Sequence, residues 1–227
     1  MSVLRRAFGP RTSHLAALRV DLLRVDRTLL RGADPAAGLA LAARLATGGD
    51  PDPHHGTRVG SLAVRLSGQL GWTASAARQL GAAAALHDIG KHALPRSLLE
   101  EPGPLSARQR AQLVLHTQAA TWLLGGLVHP VLQLAATVGR SHHERWDGLG
   151  YPDRTAGIAT PLPARIVAVC DVWDALTHPR PYRPAFPESQ ARIAVQSMAG
   201  TALDPELAAA LLALDPPCET ISPSSAP

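Results

Sequence analysis

Lysine is almost absent from this sequence. Lys91 is the one lysine, and every other member of the Lys+Arg total of 22 is arginine. The two are not interchangeable: arginine is a rigid planar fork, whereas the compact lysine ammonium can be set against a single oxygen. A chain that uses arginine everywhere else marks Lys91 as a place where the ammonium itself is needed. Cysteine is scarce as well. Cys170 and Cys218 are far apart with no framework spacing, which excludes a disulfide scaffold and a thiolate zinc site and points to a reducing compartment. Aromatic residues make up only 4% of the chain; with abundant Ala, Leu and Arg, this argues against a β-sandwich and predicts an all-α protein. No uninterrupted apolar run approaches the length of a membrane-spanning helix, and the opening MSVLRRAFGPRTSH lacks a hydrophobic signal region, so a cytoplasmic protein is expected. Basic blocks are missing too. The net charge is +4 with the arginines scattered, which disfavours generic nucleic-acid binding and suits an anionic small-molecule ligand.

Punctuation in the sequence suggests three regions. Leu15, Leu18, Leu22, Val25 and Leu29 alternate spacings of three and four, the mark of an amphipathic helix whose narrow stripe either packs on its own domain or forms a short homodimer seam. The turn formers TGGDPDP at 47–53 end this N-terminal helical region, set at residues 1–50. A helical domain follows over 51–214. The Pro- and Ser-rich tail over 215–227 has little to bury and is expected to be disordered. Within the domain, DGLGYPDRTAGIATPLP (147–163) has no regular periodicity, and a loop of that length in a compact domain is often functional.

What is present is a set of polar residues on apolar helix faces. Val59, Leu62, Ala63, Leu66 and Leu70 form one core stripe, and His55 precedes Val59 by four residues on the same face. His116 shares a face with Leu113, Ala120 and Leu123, while Val131, Ala135 and Val138 lead up one face to His142. In ARIVAVCDVWDAL, Asp171 and Asp174 are three apart on a single face; in AAAALHDIGKHALP, a helical run ends in His87, Asp88 and Lys91. One inward histidine is more often a hydrogen-bonded core residue than a ligand. Many at once are different, because isolated buried charges cost several kcal/mol apiece unless they are paired or hold a metal. Imidazole and carboxylate donors without thiolate point to Mn, Fe, Zn, Co or Ni. The donors outnumber the needs of one tetrahedral zinc, so two cations bridged by a carboxylate is the economical reading, with Asp88 as the bridge. His54, His92, His129 and His178 lack such support and are assigned to surface or supporting positions.

HHGTRV (54–59), HDIGK (87–91), His116, HHERWDGLGYP (142–152) and DVWDALTHPRPYR (171–183) together resemble the HD-GYP group of HD phosphohydrolases. The resemblance covers roughly residues 51 to 214. It implies an all-helical HD-type bundle, with a short N-terminal helical extension here, that binds two or three transition-metal ions and hydrolyses cyclic di-GMP to pGpG or onward to GMP. By position it implies His55, His87, Asp88, His116, His142, His143 and Asp171 as metal ligands, with Asp88 bridging. Lys91 is implied at the scissile phosphate, and Tyr151, Asp174, Arg180 and Arg183 around the dinucleotide. Fe or Mn is the favoured metal, with Zn, Co and Ni compatible, and the expected chemistry is attack by a metal-bridging hydroxide on phosphorus with Lys91 stabilising the added charge. Three departures stand out. Pro51 replaces the glutamate of three-metal members, which favours two ions; Glu101 stands where a lysine is usual, and Ala120 where a glycine is usual. Two other readings fit the same residues: a catalytically weak cyclic di-GMP receptor or adaptor for a diguanylate cyclase or transcription factor, and an HD hydrolase of another nucleotide such as a dNTP, cyclic GMP–AMP or cyclic AMP.

Overall fold

Ten α-helices and no strand make up the residues described by the computed structural model, which are 9–31, 35–179 and 184–214. In chain order they are α1 (Thr12–Leu30), α2 (Pro35–Thr47), α3 (His55–Gln69), α4 (Ala74–Ala84), α5 (Arg96–Leu99), α6 (Ala107–Leu124), α7 (Pro130–Ser141), α8 (Leu162–Thr177), α9 (Glu188–Met198) and α10 (Pro205–Leu212). The all-α expectation holds. Local chemistry sets several starts: Thr73 Oγ1 accepts from Ala76 N at 3.2 Å before α4, Ser106 and Gln109 form a reciprocal capping box before α6, and Asp204 accepts from Glu206 N before α10. Each cap satisfies an amide that the first turn leaves unpaired.

The helices bury two apolar clusters. One joins α1, α2, α6 and α7 through Leu15, Leu22, Leu123 and Leu132, and takes in Leu86 and Ile89. The other joins α3, α4, α8, α9 and α10 through Leu66, Leu80, Ile166, Val195 and Leu207. Side chains bearing the candidate chemistry come from helices of both.

The structure decides what the N-terminal stripe packs on. Leu15, Leu18, Leu22, Val25 and Leu29 are all buried in the chain's own first cluster, so the homodimer seam expected as one option is not available through that face. Polar contacts fasten α1 further. Arg19 donates to Leu123 O at 3.1 Å and Gly125 O at 2.8 Å at the end of α6, with its guanidinium 5.1 Å from the Trp122 ring. Asp26 accepts from Val128 N and His129 N at the start of α7, at 3.1 and 2.7 Å. A cation at a helix C-terminus and an anion at an N-terminus both suit the helix dipoles. Residues before 51 therefore pack into the same helical body as those after it. The expected disordered tail, 215–227, lies outside the described residues, as do Cys218, Arg180 and Arg183. No helix among the described residues is long and apolar enough to cross a membrane.

Candidate metal centre and its cavity

Seven side chains from five helices and their ends meet at one place. His55 opens α3, His87 and Asp88 stand in the turn after α4, and His116 sits midway along α6. His142 caps the end of α7, His143 follows it, and Asp171 projects from α8. Close backbone approach brings the turn to α6: a Cβ on Gly90 would overlap the carbonyl oxygen of His116, so glycine is the residue that lets Asp88 come near that histidine.

The histidines are oriented by what lies behind them. His87 Nδ1 is 2.8 Å from Ala84 O, His116 Nδ1 is 2.5 Å from Leu113 O, and His142 Nδ1 is 3.0 Å from Val138 O. A carbonyl only accepts, so each Nδ1 carries a proton and each ring is oriented with Nε2 facing inward. His87 Nε2, His116 Nε2, His142 Nε2 and Asp88 Oδ1 are buried without a hydrogen-bond partner; His129 Nδ1, outside the cluster, is the one other such side-chain atom among the described residues. Four convergent orphans call for partners that the described side chains do not supply.

Asp88 stands between two sets of donors. Its Oδ2 is 3.1 Å from His87 Nε2 and 3.6 Å from His55 Nε2, while Oδ1 is 3.6 Å from His116 Nε2 and 3.7 Å from His142 Nε2. Asp171 Oδ1 joins the first set, 3.1 Å from His55 Nε2 and 3.9 Å from His87 Nε2. His143 joins the second, with one ring nitrogen within 4.8 Å of the ligand atoms of Asp88, His116 and His142. Ligand atoms about 2.0–2.2 Å from one cation lie roughly 3–4 Å from each other, so the donor spacing fits metal.

The electrostatics agree. Burial alone would lower the His55 pKa, yet Asp171, Asp174 and Asp88 outweigh it and raise it to about 11; the cluster draws positive charge to the spot a cation would take. Burial drives His116 down to about 4 and holds His143 well below the ordinary imidazole value, assisted by neighbouring imidazoles. Both are thus neutral donors at pH 7. Burial opposes the ionisation of Asp88 and Asp171, but His87 and Lys91 beside Asp88, and His55 and His87 beside Asp171, hold both well below the usual carboxylate range.

Lys91 Nζ lies 2.5 Å from Asp88 Oδ2 and 2.7 Å from Asp50 Oδ2. Burial disfavours its charge, but Asp88 and Asp50 more than compensate and raise its pKa above the ordinary lysine value. Tyr151 is placed against the cluster, its ring 4.8 Å from that of His143. The loop carrying it is held by Glu144, which accepts from Asp153 N at 2.6 Å, Arg154 N at 3.1 Å and Thr155 N at 3.1 Å. A Cβ on Gly150 would run into the backbone at His143 and Arg145, so this turn also demands glycine.

Asp174, expected at the dinucleotide, stands directly behind His55. Its Oδ2 is 2.7 Å from His55 Nδ1, and Arg58 Nε donates to its Oδ1 at 2.6 Å. The carboxylate is buried beneath His55 and does not line the cavity, and its contact with Nδ1 fixes the orientation of the His55 ring. Ala120, which stands where a glycine is usual, is fully buried in the core and does not line the cavity. Sequence reasoning missed Asp50, Arg58 and Glu144. The first lay in a stretch read as a boundary, and the other two lay inside quoted motifs with no role assigned.

A cavity of about 860 Å³ opens over the cluster. His55, Asp88, His116, His143 and Asp171 form its floor with Lys91 and Tyr151, and Leu98, Leu99, Glu101, Leu105 and Leu113 form a second wall. That volume lies within the range of small-molecule sites.

Comparison with known proteins gives a consistent picture. A family model described as an HD domain matches residues 41–207. A Xanthomonas campestris protein named cyclic di-GMP phosphodiesterase response regulator RpfG is 40% identical over 155 residues, which is 68% of this chain and 41% of that one. A Thermotoga maritima protein named cyclic di-GMP phosphodiesterase is 36% identical over 73% of this chain and 45% of its own length. A Vibrio cholerae protein named 3'3'-cGAMP-specific phosphodiesterase 2 is 35% identical over 70% of this chain and 30% of its own. This chain thus spans less than half the length of each of these relatives. Among solved structures, the HD-GYP-type protein Bd1817 of Bdellovibrio bacteriovorus matches with a TM-score of 0.58 at 20% identity, over 70% of this chain and 50% of that one; this supports the fold.

Proposed function

This chain belongs to the HD domain family, in its HD-GYP group, and from that premise we propose that it is a phosphodiesterase using two divalent transition-metal cations to hydrolyse cyclic di-GMP to pGpG or onward to GMP. The observation that carries the reading is the division of Asp88, whose two oxygens face different histidine sets. His55, His87, Asp88 and Asp171 would hold one cation, and Asp88, His116, His142 and His143 the other. Such donors suit Fe or Mn, and also Zn, Co or Ni. When bound, the cations supply positive charge for phosphoryl oxygens and acidify water near neutral pH.

The chain's own residues supply the remainder. Lys91 presents a fixed ammonium beside Asp88 at the cavity floor, where the charge that a phosphodiester gains on attack develops; a preorganised cation there stabilises the transition state. Its ammonium also carries a proton that the departing ribose oxygen can take. Asp174, braced by Arg58, keeps His55 in the tautomer that aims Nε2 at the cluster. The Tyr151 wall and the leucine wall orient the dinucleotide between them.

A second substrate, 3'3'-cGAMP, deserves a parallel test because relatives bearing that name match this chain about as well as those named for cyclic di-GMP. Chelator-stripped protein, reloaded anaerobically with Mn(II) or Fe(II), is incubated with each dinucleotide and the products are separated by chromatography. We expect pGpG or GMP from cyclic di-GMP with loaded protein and none with stripped protein. Tight binding of both dinucleotides without product would overturn the enzyme in favour of a receptor, and turnover confined to 3'3'-cGAMP would reassign the substrate.

A further inference from the structure

Five carboxylates line the cavity: Asp50, Asp52, Asp88, Asp171 and Glu101. Four are engaged. Asp88 and Asp171 belong to the histidine cluster, Asp50 accepts from Lys91 at 2.7 Å and from Asp52 N at 2.8 Å, and Asp52 accepts from Arg58 at 2.6 Å and from His54 N at 3.0 Å. Glu101 differs. Its Oε2 accepts from Gln109 Nε2 at 3.1 Å, and its other oxygen takes no hydrogen bond from any described residue. The glutamate is nonetheless well set. Gln109 Oε1 accepts from both Ser106 N and Ser106 Oγ at 2.8 Å, which fixes the amide so that its NH₂ faces Glu101. Around this carboxylate the wall is apolar, made by Leu98, Leu99, Pro104, Leu105 and Leu113.

An apolar wall with a single carboxylate is a poor place for a phosphate and a good one for a flat base with hydrogen-bond donors on its edge. Building on the cyclic-dinucleotide reading above, we infer that this end of the cavity is a guanine slot and that Glu101 is its specificity-determining residue. The carboxylate accepts from guanine N1–H and the exocyclic N2–H while the purine face lies on the leucines. Adenine turns a lone pair at N1 toward the same position, so its edge meets the carboxylate with repulsion and leaves it unpaired, the arrangement by which a polar site rejects a near-isostere. One consequence concerns a mixed dinucleotide. A ligand with a single guanine fits the slot in one orientation, so 3'3'-cGAMP presents one of its two phosphodiester bonds to the metals in preference to the other.

The test compares metal-loaded wild type, Glu101→Gln and Glu101→Ala with cyclic di-GMP, cyclic di-AMP and 3'3'-cGAMP, scoring both calorimetric affinity and kcat/KM, and identifying which linear product 3'3'-cGAMP gives first. Wild type is expected to prefer cyclic di-GMP over cyclic di-AMP, and each substitution to shrink that preference by about ten- to a hundredfold, with metal content unchanged. Both variants should also make the two bonds of 3'3'-cGAMP equally susceptible. An unchanged preference in binding or turnover, or equal losses for all three ligands, would overturn the guanine slot while leaving the phosphodiesterase reading intact. Affinity that discriminates guanine through Glu101 without any turnover would uphold the slot and remove the enzyme.

Discussion

Asp88→Ala is expected to lower kcat/KM for cyclic di-GMP by at least about a thousandfold, since on the proposed reading the positive charge held through this residue would supply several kcal/mol and each factor of ten corresponds to about 1.4 kcal/mol. The reason is its position. Among the described residues Asp88 is the one whose two oxygens approach both histidine sets, at 3.1 to 3.7 Å. On the proposed two-cation reading, removing it would take a donor from each cation at once and leave a buried group of imidazoles with less negative charge to offset bound metal. The loss should appear as metal depletion together with lost turnover. Asp88→Asn, which keeps the volume, separates charge from packing and should behave like the alanine variant. Helical circular dichroism should remain close to wild type, because Lys91 retains Asp50 as a partner. Full metal content and near-normal turnover in Asp88→Asn would show that Asp88 does not bridge.

Lys91→Ala is expected to keep its metal while kcat falls by about 10²–10³, the usual cost of deleting one preorganised group that stabilises developing charge. Lys91 touches the centre without being a donor to it: the ammonium lies against Asp88 and Asp50 at the cavity floor. Substrate affinity should change much less than turnover, because the interaction strengthens as phosphorus gains charge. Lys91→Arg should fail to restore the rate, since a broad planar fork cannot take the place of a compact ammonium wedged between two carboxylates. Metal loss in step with activity would make Lys91 a structural counter-ion instead, and wild-type turnover in Lys91→Ala would remove it from the mechanism.

Much of this site was legible before any coordinates because helical periodicity is a statement about direction. His55, His116 and His142 extend apolar stripes, so they had to face inward, and the structure brings them together with His87, Asp88 and Asp171. Periodicity does not say what a buried face meets. The Leu15–Leu29 stripe was open to reading as a core face or as a dimer seam, and tertiary packing against α6 and α7 settles it as the former. Asp174 shows the same limit at atomic scale: its face was readable, but its partners His55 and Arg58 lie 119 and 116 residues away. Asp50 was hidden for another reason. Turn-forming composition at 47–53 signals a break in helix, and it is silent about a carboxylate at that break closing onto Lys91 41 residues later.

Anomalous scattering from crystals of manganese-loaded protein, recorded with wavelengths that identify the metal, tests the account most directly. It should reveal two cation peaks per chain, one between His55, His87 and Asp171 and the other between His116, His142 and His143, with Asp88 reaching both. A single peak, or density for neither, in protein that still hydrolyses cyclic di-GMP would contradict it.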